Sequence, residues 1–254
     1  VSVVDVVVSD GIGYATLNRP QQMNAVTAEL GRELAEAIGA LGDSADVNVI
    51  VIRGAGGNFC AGGDFAEVER LRADGPDALR PLFENFRDAC GAVSTCPVPV
   101  VALVEGVAMA GGFELMQAAD VVLVSDDARI SDNHIRFGQI PGGGSTQRLP
   151  RLVGRQQALG LLLSGDRLSG LDAQRLGLAY RSWPAAEFDG EADAFVSKLA
   201  GRDRSAVTKI KSLVQQGLSG SLDDGLDLEL DAVVGHISGD AGSNGVATFA
   251  TRRQ

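Results

Sequence analysis

The chain has 254 residues, of which 45% are hydrophobic and 22% charged, a globular composition that excludes disorder and leaves room for one large domain or one domain with an appendage. A formal net charge of -11 excludes non-specific binding to nucleic acid or to an anionic membrane surface, and any anionic ligand then needs a local site built for it. The cysteines Cys60, Cys90 and Cys96 are odd in number and lack framework spacing, which predicts free thiols in a reducing compartment.

In chain order, Val3 to Val8 and Ile12 to Leu17 predict two strands joined by a hairpin turn at Ser9-Asp10-Gly11. Asp5 interrupts the first apolar run, so a strand is expected there and not a signal peptide. From Thr27 to Leu41, Leu30, Leu34, Ala37, Ile38 and Leu41 recur at helical spacing behind Thr27 as cap. Val47 to Ile52, Val98 to Val104 and Val121 to Val124 predict buried strands, the first two as continuous β-rich runs covered on both faces. From about Glu187 the pattern turns all-helical, with stripes made by Phe195, Leu199, Val207, Ile210, Leu213 and Val214. Such a tail folds back on the core or packs on another subunit. No run reaches the roughly 20 apolar residues of a membrane span, and a cytoplasmic protein is expected.

The chemistry concentrates in two glycine-rich turns, Asn58-Phe59-Cys60-Ala61-Gly62-Gly63-Asp64 and Ala110-Gly111-Gly112-Phe113-Glu114, each placed where an apolar strand gives way to a helix. Two such turns can aim backbone N–H groups at one oxygen, which is an oxyanion hole suited to a thioester carbonyl. A helix is expected from the second turn to about Ala119, so that the Gly111 N–H gains from the helix N-terminus. Glu114 then lies one turn into that helix, three residues after Gly111, among the apolar Phe113, Leu115 and Met116, where a carboxylate can move a proton at a substrate carbon. A solvated or ion-paired glutamate is the plainer alternative.

These turns, the segment from Ile140-Pro141-Gly142-Gly143-Gly144-Ser145 to Pro150, and Leu17-Asn18-Arg19-Pro20 through Val26 resemble the crotonase superfamily, the enoyl-CoA hydratase/isomerase family, over nearly the whole chain. The resemblance implies an α/β fold, a spiral of strand-strand-helix turns over residues 1–186, with a helical region over 187–254 that mediates assembly into a homotrimer or homohexamer. It assigns the oxyanion hole to the N–H groups of Ala61 and Gly111, and matches Glu114 to one of two catalytic glutamates. Along the bound acyl-CoA it places Met23, Ala25, Cys60, Gly62, Gly63, Asp64, Gly112, Pro141 and Gly142. Coenzyme A enters as part of the substrate, and no separate cofactor or metal is implied. Counted back from Ile140-Pro141-Gly142, the second glutamate's position holds His134, with Asp132 two residues earlier as a weaker candidate carboxylate. Imidazole can do acid-base work near neutral pH, and its titration would be coupled to that of Glu114.

Competing motifs fail. The run Gly142-Gly143-Gly144-Ser145-Thr146 lacks a P-loop lysine, no G-x-G-x-x-G follows the first strands, and Gly143-x-Ser145-x-Gln147 lacks the second glycine of a nucleophile elbow. Two distant histidines, His134 and His236, with cysteines at no zinc-like spacing, argue against a metal site. The expected activity is hydration of a 2-enoyl-CoA. Isomerisation, thioester or C–C hydrolysis, and a non-catalytic acyl-CoA binder are the alternatives.

Overall fold

In a computed structural model, residues 2–239 are described. They form two compact units: residues 2–96 with 100–201, and residues 97–99 with 202–239.

The first unit begins with β1 (Val4–Ser9) and β2 (Ile12–Leu17), paired antiparallel through a two-residue turn. Asp10 and Gly11 both have positive φ, 52° and 78°, the turn geometry whose twist matches that of a hairpin. Thr27 caps α1 (Ala28–Asp43) as its spacing predicts, its Oγ1 accepting from the Leu30 N–H at 3.1 Å. Next come β3 (Val49–Gly54), α2 (Phe65–Ala73), α3 (Pro76–Thr95), β4 (Val100–Val104) and β5 (Val107–Met109). Then follow α4 (Gly111–Ala118), β6 (Val121–Ser125), β7 (Arg129–Ser131), α5 (Ser145–Val153), α6 (Arg155–Ser164), α7 (Gly170–Arg175), β8 (Arg181–Trp183) and α8 (Ala185–Ala200).

Six strands make the main sheet, ordered β1-β2-β3-β4-β6-β8, with every pair after the first parallel. A second layer holds the parallel pair β5-β7, extended by isolated bridges from Cys60 to Ala108 and from Ile130 to Leu168. Successive passes therefore run from a main-sheet strand to a second-layer strand to a helix: β3, Cys60, then α2 and α3; β4, β5, then α4; β6, β7, then α5. This is the α/β spiral that the sequence leads one to expect. β4 is buried throughout and β3 at every position but Arg53. Two strands start later than their apolar runs: Val47 closes a turn onto Ser44, and Pro97 and Pro99 precede β4 because proline has no N–H for a ladder.

α8 belongs to this first unit. Its Phe188, Ala192, Val196 and Ala200 join Ile12, Val49, Val51, Val101 and Leu123 in one core cluster, whereas the division read from sequence at 186 grouped α8 with the later helices. The second unit contains α9 (Arg204–Gly217) and α10 (Leu222–Ile237), with the Lys211 ammonium donating to the Val98 carbonyl at 3.0 Å. α10 buries none of its residues, and Leu222, Leu226, Leu230, Val234 and Ile237 are exposed. Among the described residues, no helix is long and apolar enough to cross a membrane.

One buried side chain ties the second layer to the chain that follows β2. Asn24 is fully buried, accepts from the Arg19 N–H at 2.9 Å, and donates to the carbonyls of Ala55 at 2.9 Å and Asn58 at 2.7 Å. Asn24→Ala leaves one donor and two acceptors without partners in the interior, and at roughly 1 kcal/mol for each lost bond the loss is about 3 kcal/mol. Urea unfolding should report it as a lower midpoint with an unchanged slope.

Candidate active site

The two glycine turns meet. Phe59 and Cys60 are zipped to the strand beside them, Phe59 N–H donating to the Glu105 carbonyl, Cys60 N–H to Val107, and Met109 N–H to Cys60. Against this edge α4 begins at once. A Cβ on Gly112 would lie 2.1 Å from the Cys60 carbonyl oxygen, so only glycine permits the approach. Gly62, at φ 101°, faces Ala110 and the Gly111 nitrogen, with its Cβ position 3.4 Å from that nitrogen.

Gly111 is the first residue of α4, where an N–H has no acceptor within the helix and the helix dipole is positive. The preceding Ala110 sits at φ 47°, ψ -114°, a conformation that glycine adopts readily and alanine only under strain of about 1–3 kcal/mol. The surroundings hold it there: its N–H donates to Ser131, and its carbonyl accepts from the Glu114 N–H. The Ala61 N–H is already engaged, donating to the Met23 carbonyl at 2.9 Å.

Glu114 is 2% exposed. Its Oε1 accepts two backbone N–H groups, Gly143 at 2.7 Å and Ser145 at 3.1 Å, so the glycine-rich segment after residue 140 serves as a cradle for this carboxyl. Its Oε2 lies 4.0 Å from the His134 Nε2. His134 opens a short 3-10 helix, His134–Phe137, and its Nδ1 is 2.7 Å from the Asp132 Oδ1. An ionised carboxylate only accepts, so beside one a neutral imidazole holds its proton on Nδ1 and its lone pair on Nε2. The result is a line of three groups, Asp132, His134 and Glu114, drawn from two segments.

Burial pushes the Glu114 carboxyl above its ordinary value, opposed in part by the Ser145 N–H, the charge of His134 and the Gly143 N–H. For His134, burial acts downward, yet the hydrogen bond and charge of Asp132 and the charge of Glu114 outweigh it and hold the imidazole above its usual range. The site therefore retains protons more tightly than the free side chains would.

A cavity of about 540 Å³ opens onto Ala61, Gly63, Gly111, Glu114, His134 and Gly142. Its walls are otherwise largely apolar, with Val26, Leu82, Phe83 and Phe86 inside, and Phe65 and Phe137 as an edge-to-face ring pair with centroids 5.5 Å apart. Phe86 presses on Gly143, where a Cβ would meet its ring at 2.3 Å.

The other sequence-derived candidates lie outside this lining. Cys60 is fully buried behind it, its thiol pushed up to about 12 by burial. Asp64 caps α2 through the N–H groups of Ala66 and Glu67, and pairs with Arg19 at 2.8 Å; Arg19 also donates to the Ala25 carbonyl. Met23 contributes its carbonyl to Ala61, Gly62 and Gly112 allow the close approach of the turns, and Pro141 precedes the cradle. Sequence reasoning missed Gly143 and Ser145 as donors to Glu114, and Gln117, whose amide donates to the Ser145 hydroxyl at 2.9 Å. The glycine run was visible, but the direction of its N–H groups was not.

Comparison with known proteins identifies the family and the fold. The model of the enoyl-CoA hydratase/isomerase family matches residues 8–254. A probable enoyl-CoA hydratase of Mycobacterium tuberculosis is 32% identical over 242 residues, covering 95% of this chain and 92% of its own. A peroxisomal Delta(3,5)-Delta(2,4)-dienoyl-CoA isomerase of Arabidopsis thaliana is 30% identical, covering 84% and 81%. Among solved structures, an enoyl-CoA hydratase from Polaromonas sp. JS666 superposes with a TM-score of 0.94 at 29% identity, covering 98% of this chain and 97% of that one. One from Bacillus anthracis gives 0.93 at 29% identity, with 98% and 96% covered. With the family model spanning all but the first seven residues and the strand-strand-helix spiral in place, the chain belongs to the enoyl-CoA hydratase/isomerase family.

Proposed function

We propose that this enzyme adds water reversibly across the double bond of a 2-enoyl-CoA thioester. The observation that carries the reading is the Glu114 carboxyl, buried at a cavity that Gly111 also lines and 4.0 Å from His134. The Gly111 N–H polarises the thioester carbonyl, and the Ala61 N–H joins it by sharing or leaving its bond to Met23. Negative charge then develops on that oxygen as water adds to the β-carbon, and each such donor contributes about 2.7–4 kcal/mol where the effect is known. Glu114 is the principal acid-base group, completing the addition at the α-carbon, with His134 assisting at the water.

A second reading, double-bond isomerisation, is favoured by the similarity to the dienoyl-CoA isomerase, since one carboxyl can carry a proton between two carbons. Product mass separates the two, because only hydration adds a water.

The apolar walls support an acyl group longer or bulkier than four carbons as substrate. Three buried cysteines that form no disulfide among the described residues fit residence in the cytoplasm, which is part of the same proposal. The apolar residues exposed along α10 support assembly into a homotrimer or homohexamer. Sedimentation should then give three or six times the chain mass of 26.3 kDa, and a monomer would refute the assembly.

Mass-resolved turnover of crotonyl-CoA and longer 2-enoyl-CoA thioesters should show a gain of one water. With about 0.8 kcal/mol per buried methylene, kcat/KM should rise about fourfold per added methylene until the cavity is filled. A flat profile would remove the chain-length assignment.

Glu114→Gln should lower kcat by about 10²–10⁴-fold. Its effect on stability has the opposite sign. A carboxyl raised in the fold destabilises it once ionised, a penalty absent below about pH 4.5 and growing as pH rises toward the folded-state value. Glutamine keeps the acceptor for Gly143 and Ser145 and carries no charge. Thermal melts should show the variant more stable than wild type above neutral pH and equal to it below about pH 4.5.

A further inference from the structure

We propose that Asp132 is a positioning residue which, with His134, forms a single proton-accepting unit, so that Nε2 takes the proton from the attacking water and Glu114 delivers one to carbon. This rests on the hydration reading above and assigns the two protons of that reaction to separate groups.

Asp132 does not line the cavity, so it does not meet substrate as a replacement carboxylate. Its side chain is 1% exposed, and its Oδ1 receives both the His134 Nδ1 at 2.7 Å and the His134 backbone N–H at 3.4 Å. The second oxygen, Oδ2, is buried without a hydrogen-bond partner among the described residues. A buried carboxylate with one oxygen unsatisfied is costly for stability alone, and the imidazole is what it serves.

His134, by contrast, does line the cavity, and its Nε2 stands 4.0 Å from the Glu114 Oε2. That gap exceeds an ordinary hydrogen bond of about 2.7–3.2 Å, yet one water beside it can bond to both atoms. The charged groups acting on His134 are Asp132, from the segment after β7, and Glu114, from α4. A neutral imidazole on an ionised carboxylate carries one negative charge and loses it on taking one proton. A lone carboxylate does the same, so the pair brings to position 134 the charge and proton capacity of a glutamate.

The step balances. The O–H bond of water breaks, its oxygen bonds to the β-carbon, and the proton goes to Nε2, while the carbonyl oxygen takes the enolate charge near Gly111. The protonated Glu114 then gives its proton to the α-carbon, and transfer from Nε2 to Oε2 restores the starting state. The charge of the three side chains is the same before and after.

Only two histidines are present, so nitrogen-15 histidine labelling resolves both, and His134→Gln identifies the signal. Wild type should show the neutral His134 as the Nδ1–H tautomer, titrating above 6.5. Asp132→Asn should lower that midpoint, move the acid limb of kcat against pH to lower pH, and reduce kcat at least tenfold with little change in KM. Asp132→Glu should recover part of kcat. A structural role alone would lower Tm and leave midpoint and acid limb unmoved, which overturns the proposal. An Nε2–H tautomer in wild type overturns it too, and needs no variant to fold. Absence of turnover in wild type would remove the hydration reading itself, whereas a wild type that hydrates but has the wrong tautomer removes only the pairing.

Discussion

The site depends on one close approach. The Cys60 carbonyl oxygen occupies the space where a side chain at position 112 would begin, so α4 starts directly against the first glycine turn. From that contact follow the place of the Gly111 N–H, the strained Ala110 before it, and the direction of Glu114 one turn later. The second-layer strands enforce it, since Cys60 and β5 exchange backbone bonds and Ala110 is tied to the end of β7. The fold and the placement of the Gly111 N–H thus rest on the same set of hydrogen bonds.

Placing a carboxyl at 2% exposure creates a second constraint. Two N–H groups from the segment at 143–145 compensate one oxygen, the other lies 4.0 Å from the His134 Nε2, and burial raises the proton affinity of the carboxyl. An arrangement of this kind trades stability for a poised proton, the usual exchange at acid-base sites. Phe86 packs against Gly143, so the apolar wall of the cavity also holds the cradle in place.

His134 departs from the family's pattern in residue type more than in charge. With Asp132 at 2.7 Å it carries the net charge of a carboxylate, but its accepting atom sits on a ring whose orientation a second side chain controls. Under the proposed pairing, two residues of one short segment together carry that charge, and the Asp132 Oδ2 is left without a hydrogen-bond partner among the described residues.

Much of this was legible in the sequence because it depends on local rules. Period and capping located α1 and its Thr27, the positive-φ pair Asp10-Gly11 marked the hairpin, and continuous β-branched runs marked β3 and β4. Glycine spacing picked out both turns, and the family resemblance marked the run at 142–144 as a turn leading into a helix, though not as the cradle of Glu114. What only the tertiary structure decided is where backbone groups point and what they meet. Spacing alone could not tell that the Ala61 N–H bonds to Met23, that Gly143 and Ser145 donate to Glu114, or that Asp132 is turned away from the cavity and onto an imidazole. The division of helices likewise followed packing, since α8 has an apolar face like those of its successors yet buries it on the main sheet. Sequence patterns encode which faces are apolar and which turns are possible; partners separated by dozens of residues are set by how the layers stack.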